Sequence, residues 1–143
     1  MFTNRRNQAM SKKIYPEYIS KNFTLSEMTA TQFKKVDNSI PNDKIYDNIV
    51  FGCRYVLQPV REQFGQPIII TSGYRCLVLN TLVGGVRNSA HKQGRAADIR
   101  IKHLKPNLRV RLYELLCANK YTTQVLWERN NVTQWLHVSW EGI

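Results

Sequence analysis

Apolar positions along the first half of the chain keep helical spacing. From Phe23, the segment F-T-L-S-E-M-T-A-T-Q-F places Leu25, Met28 and Phe33 near that spacing behind a Thr or Ser able to cap, which predicts a short helix. Asn42 can cap a longer one, in which Ile45, Ile49, Cys53, Val56, Leu57, Val60 and Phe64 keep the i, i+3, i+4 rhythm until Gly65 ends it. Pro59 falls inside that rhythm, removes a helix hydrogen bond and predicts a kink or break. Beyond Gly65 the pattern changes. P-I-I-I-T-S-G-Y, bounded by Pro67 and Gly73, predicts a buried strand ending in a turn, and residues 76–82 a helical turn broken by Gly84 and Gly85. A-A-D-I-R-I at 96–101 predicts a second strand. Pro106 and Asn107 open a helix with Leu108, Leu112, Leu115 and Leu116 on one side. Two more strands, at 124–128 and 135–140, are joined across Asn130 and Asn131. Helices first and strands later predict an α+β fold, with helices packed on a small, mainly antiparallel sheet.

The 143 residues suffice for one domain with a real core and not for two. Residues 21–143 are expected to form it, and residues 1–20, polar, basic and aperiodic, a tail or loosely docked arm. With 43% hydrophobic and 22% charged residues the composition excludes wholesale disorder, and no run approaches the roughly 20 apolar residues of a membrane span. Cys53, Cys76 and Cys117 form no C-x-x-C pair, so neither a disulfide framework nor a thiolate metal site is expected. Twenty-one basic against ten acidic residues leave a net charge of +11. That excess calls for an anionic partner: nucleic acid, a membrane surface or an acidic cell-wall polymer. No helix-turn-helix, zinc-finger or RNA-binding signature is present, which ranks specific nucleic-acid binding last. Polar residues follow Arg5 and Arg6 where a secretory signal would be apolar, so synthesis in the cytoplasm is expected.

Chemistry concentrates on two of the three histidines. His91 stands in S-A-H-K-Q-G-R-A-A-D, seven residues before Asp98, and His137 stands in W-L-H-V-S-W. Strand alternation puts Ala96, Asp98 and Arg100 on one face of their segment, and Trp135, His137 and Ser139 on one face of theirs. If those strands are neighbours, Asp98 and His137 converge. Two imidazoles and one carboxylate suit zinc, and three protein ligands leave a fourth position for water, as in a catalytic site.

Read in order, S-G-Y-R (72–75), N-T-L-V-G-G (80–85), S-A-H-K-Q-G-R-A-A-D (89–98) and W-L-H-V-S (135–139) resemble the zinc peptidases of the D-Ala-D-Ala carboxypeptidase and L-Ala-D-Glu endopeptidase family. The resemblance spans about residues 23–140. It implies a small zinc enzyme, with His91, Asp98 and His137 as ligands of Zn2+, that hydrolyses peptidoglycan stem peptides as a carboxypeptidase or an endopeptidase by attack of a zinc-activated water. By the same likeness Arg75 holds a substrate carboxylate or carbonyl oxygen. Tyr74 beside it is a further substrate-binding candidate, Trp135 walls the cleft, and Ser89 either caps its loop or contacts substrate. Phage lysins are frequent members, and a phage or prophage lysin reaches the wall without a signal peptide. The protein is expected to act there as a monomer, its charge serving anionic wall polymers.

The general base departs from the common pattern. Many members carry an acid three residues before the last histidine, where this chain has Gln134, which cannot usefully accept a proton. Glu128, ending the preceding strand on the parity of Gln124 and Leu126, is the expected base, with Glu141 a weaker candidate. Loss of the base would leave the other reading, a zinc-stabilised wall-binding module without hydrolysis. Cys76 is expected to be a buried thiol, His103 a surface residue, and Trp127 and Trp140 core residues.

Overall fold

The computed structural model of the protein describes residues 13–142. Its helical part grows from two capped starts. The Thr24 side chain accepts the Glu27 N–H while the Glu27 carboxylate accepts the Thr24 N–H, a reciprocal cap that opens helix α1 (Leu25–Met28). This helix is a single turn, shorter than its apolar spacing suggests. The Thr29 hydroxyl donates back to the Leu25 carbonyl and Thr31 Oγ1 accepts the Phe33 N–H, so hydroxyls take over the backbone bonding.

Asn42 Oδ1 accepts the Ile45 N–H and starts α2 (Asp43–Gly52). The chain then widens into a π-helical segment, Cys53–Leu57, before α3 (Gln58–Phe64) closes at Gly65, whose φ of 75° is the left-handed cap expected of it. The break expected at Pro59 is thus absorbed as a local widening. Pro59 sits within the first two residues of α3, where its missing N–H costs least. The carbonyl a residue at 59 would have bonded belongs to Tyr55, and the Asn119 side chain donates to it instead, at 3.0 Å.

Four strands form the main sheet: β3 (Ile70–Ser72), β4 (Ala96–Arg100), β5 (Thr122–Arg129) and β6 (Gln134–Trp140). Their order is β3-β4-β6-β5, every pair antiparallel, so the fold is α+β as the pattern of elements implied. A separate two-stranded ribbon pairs β1 (Tyr18–Ser20) with β2 (Phe23–Thr24). Between β3 and β4 come α4 (Leu77–Leu82) and a 3-10 turn (Ala90–Gln93); α5 (Pro106–Ala118) connects β4 to β5.

The two faces of the sheet have different fates. Ala97, Ile99, Leu136, Val138 and Trp140 are fully buried against Ile49, Cys53, Val56, Leu57 and Val60 of the long helical run, with Leu112 and Leu116 of α5 completing the core. The opposite parity, Asp98, Arg100, Trp135 and His137, lies on the other face. Core packing is tight where α2 crosses β6: a Cβ on Gly52 would lie 2.0 Å from the Trp140 ring. Gly52→Ala is therefore expected to destabilise the fold by about 3 kcal/mol, read as a lower thermal midpoint, because neither partner has room to move.

Of the expected arm, residues 1–12 lie outside the described residues. Residues 13–20 are docked: Ile19 is buried, Tyr15 stacks on Tyr46 with ring centroids 4.4 Å apart, and Lys13 pairs with Asp43 at 2.8 Å on the surface. No helix among the described residues is long and apolar enough to cross a membrane.

Candidate metal centre

Three segments meet on the open face of the sheet. Ser89 caps the 3-10 turn by accepting the His91 N–H at 3.2 Å, and Gly94, at φ 71°, redirects the chain into β4 with Ile45 O so close that a Cβ would lie 2.8 Å from it. The tight turn buries His91 to 2% exposure and starts β4 in the register that brings Asp98 beside it. Strand pairing supplies the third member, since Asp98 faces His137 directly across the β4–β6 ladder.

Asp98 Oδ1 is the hub, 3.2 Å from His91 Nε2 and 3.1 Å from His137 Nδ1. All three donor atoms lie within 4.8 Å of one another. Ligand bonds of about 2.1 Å in a tetrahedron place donors roughly 3.4 Å apart, so the spacing fits zinc. Proton placement supports the same reading. His91 Nδ1 lies 2.7 Å from the Gly73 carbonyl, which only accepts, so that nitrogen carries the hydrogen. Nε2 is then the ring nitrogen turned towards Asp98 and towards any metal ion held there. Burial pushes the Asp98 carboxyl up, but hydrogen bonds from His137 and His91 outweigh it and hold the group well below the usual carboxylate range.

Arg75 grips the other carboxylate oxygen, Nη2 to Oδ2 at 3.1 Å, and is itself held by Ser72 Oγ at 3.0 Å and Asn80 Oδ1 at 3.1 Å. Oδ1 is thereby left for the imidazoles. Asn80, 2% exposed, also donates to the Val86 carbonyl, and a Cβ on Gly85 would lie 2.2 Å from its Oδ1. Asn38 clamps the same loop by donating to the Thr29 and Tyr74 carbonyls and accepting the Cys76 N–H. Ser72 and Asn80 stand in the quoted motifs, yet their grip on Arg75 was not read from the sequence; Asn38 stands in none of them.

The remaining candidates separate. Glu128 is half-buried at the end of β5, directly across from Trp135 and on the parity of Leu126, which faces His137. Glu128 makes no hydrogen bond to another described residue. Gln134 turns elsewhere, its carboxamide oxygen accepting the Trp127 Nε1–H at 2.7 Å, where Trp127 packs towards Tyr113 of α5. Trp135 walls a cavity beside Asp98. Tyr74 is not brought to the site: it is 5% exposed and packs in the hydrophobic core, so the expected substrate contact is corrected. Ser89 caps its turn, as one of its two readings held. Glu141 is exposed beyond β6, and His103 is exposed. Cys76 is only half-buried and caps α4 by accepting the Leu79 N–H; Trp140 is fully buried and Trp127 packs against the core.

An α+β domain with two imidazoles and a carboxylate converging on its open sheet face defines a class, proteins able to hold a metal ion on an exposed sheet face. A family model described as peptidase M15 matches residues 21–139, and the chain belongs to that family of zinc D-Ala-D-Ala carboxypeptidase-like peptidoglycan metallopeptidases. No curated protein matches the chain.

Proposed function

We propose that the protein hydrolyses a peptide bond in the stem peptides of bacterial peptidoglycan, as a D-Ala-D-Ala carboxypeptidase or as an endopeptidase, reaching the wall as a phage or prophage lysin. The observation that carries this reading is the convergence of His91 Nε2, Asp98 Oδ1 and His137 Nδ1 on an open face that also presents Glu128. Those three atoms would hold zinc, which when bound supplies a Lewis acid and brings the acidity of water near neutrality.

The chain's own groups do the rest. The Glu128 carboxylate accepts a proton from the attacking water as it adds to the scissile carbonyl carbon, and returns that proton to the departing amine nitrogen. Its place next to the His137 row, at a diagonal spacing between strand residues of about 7–8 Å, leaves room for the water and substrate between them. Gly73 O fixes the His91 ring, and Arg75, which lines the neighbouring cavity, fixes Asp98 and keeps two of its five N–H donors for a substrate carbonyl oxygen. Trp135 excludes water from one side.

Digestion of purified peptidoglycan by the zinc-loaded protein, followed by mass spectrometry, tests the proposal. Free D-Ala identifies a carboxypeptidase and shortened stem fragments an endopeptidase. Retention on the wall with no product from any wall type would instead support the binding module.

A further inference from the structure

Two cavities meet at Thr71 and Asp98, one of about 380 Å³ and one of about 350 Å³. Open space therefore continues from Asp98 in two directions, and the two differ in what charge they offer. The smaller cavity contains Arg75, whose fork is largely committed: each of its nitrogens already donates within the protein, and the side chain is 12% exposed. The larger cavity is lined by Arg100 and Lys102, both exposed. Neither side chain has a hydrogen-bond or ion-pair partner among the described residues.

These two cations differ from the arginines that follow them in the chain. Arg109 spends its guanidinium on the Leu104 and Lys102 carbonyls, and Arg111 donates to the Gln63 carbonyl. Arg100 and Lys102 face a cavity instead. Register places Arg100 accurately: it pairs with Trp135, which pairs with Glu128, and this row lies one step along the sheet from Asp98, His137 and Leu126. Same-face neighbours on a strand are about 6.6 Å apart, roughly two residues of an extended peptide. A group seated on Arg100 thus lies within about two residues of whatever bond lies over the triad.

We propose that Arg100 and Lys102 form a carboxylate-binding subsite beside the metal ligands, in the cavity that Arg75 does not line, where a free carboxylate of the substrate peptide is held within about two residues of the bond that is cut. The proposal deepens the peptidase reading and rests on it. Arg100 offers a planar fork that matches a carboxylate, Lys102 adds a point charge, and Trp135 lines the same cavity. The carboxylate has two sources, the peptide's own C-terminus or an acidic residue inside the stem. The first makes the flank a carboxypeptidase's terminal pocket, the second an endopeptidase's specificity pocket.

The test uses the zinc-loaded full chain and synthetic stem peptides in which the terminal carboxylate, the internal one, or both are converted to amides. The acid is expected to be cut with about tenfold higher kcat/KM than the matching amide, for one of the two positions, and the position names the source. In Arg100→Gln/Lys102→Gln that ratio falls below about twofold, whereas Arg100→Lys, which keeps the charge and loses the fork, keeps part of it. In the parent protein the ratio shrinks as salt rises. A merely structural role for these residues would lower acid and amide cleavage alike and preserve the ratio. That outcome, or a parent protein that cuts both alike, overturns the subsite. Calorimetric binding of the same peptides to Glu128→Gln protein reads the acid preference without turnover. Absence of cutting thus counts against the peptidase, and absence of an acid preference in binding counts against the subsite.

Discussion

Asp98→Ala is expected to cost the protein both its metal and its activity, with zinc dropping from one per chain to near zero and peptidoglycan cleavage by about 10³-fold or more. The reason lies in the hub geometry. Asp98 Oδ1 is the atom both imidazoles approach, at 3.1 and 3.2 Å, and without it the two rings face each other with no negative charge to offset a dication. The change also releases Arg75 from Oδ2, so a cation is left where a neutralised one stood. Asp98→Asn keeps the shape and the Arg75 geometry is disturbed less, yet the charge is gone and zinc is still expected to be lost. Metal analysis and circular dichroism on both variants separate loss of the site from loss of the fold. The sign with pH is fixed by the direction of the carboxyl's shift. Because Asp98 is held below the ordinary carboxylate range, its stabilising contribution is fully present at neutral pH and begins to be lost only as pH falls below about 4.

Glu128→Gln is expected to behave in the opposite way with respect to metal: zinc stays at one per chain while kcat falls by about 10²- to 10⁴-fold. Glu128 sits one row away from the ligands, across from Trp135, so its removal takes away a proton acceptor and no ligand. A near-isosteric amide keeps the hairpin packing, and KM is expected to change little. The position that commonly holds the acid does not compensate. Gln134→Glu placed on the Glu128→Gln background should not restore activity, because residue 134 points its side chain to Trp127, away from His137. Recovery in that double variant would mean that the base has been placed on the wrong strand.

Parity arithmetic carried most of the site. Alternation alone puts Asp98 and Arg100 on one face and Trp135 and His137 on another, and the β4–β6 ladder then joins the two faces at Asp98 opposite His137. The same arithmetic put Glu128 with Leu126, and the hairpin pairs them with Trp135 and His137 in turn. Long-range approach was not legible in this way. That Asn119 would take the carbonyl freed by Pro59 depends on where α5 ends relative to the π segment, 64 residues earlier in the chain. Asn80 reaches Arg75 only because Gly85 leaves room, a contact that no periodicity encodes. Tyr74 was misplaced for a related reason. It adjoins Arg75 in the motif, but its N–H bonds the Met28 carbonyl and its ring joins the core, so neighbouring residues of one turn serve opposite sides of it. Nothing in the sequence separates Arg100 and Lys102 from the other basic residues, and the cavity they line is what distinguishes them from Arg109.

The most direct test of the account is stepwise removal and return of zinc, with bound metal and peptidoglycan cleavage measured on the same samples. The account predicts that activity rises in proportion to occupancy, saturates at one zinc per chain, and is absent at every zinc level in His137→Ala. Cleavage that persists after the metal is gone, or a purified wild-type protein that binds no zinc, would contradict it.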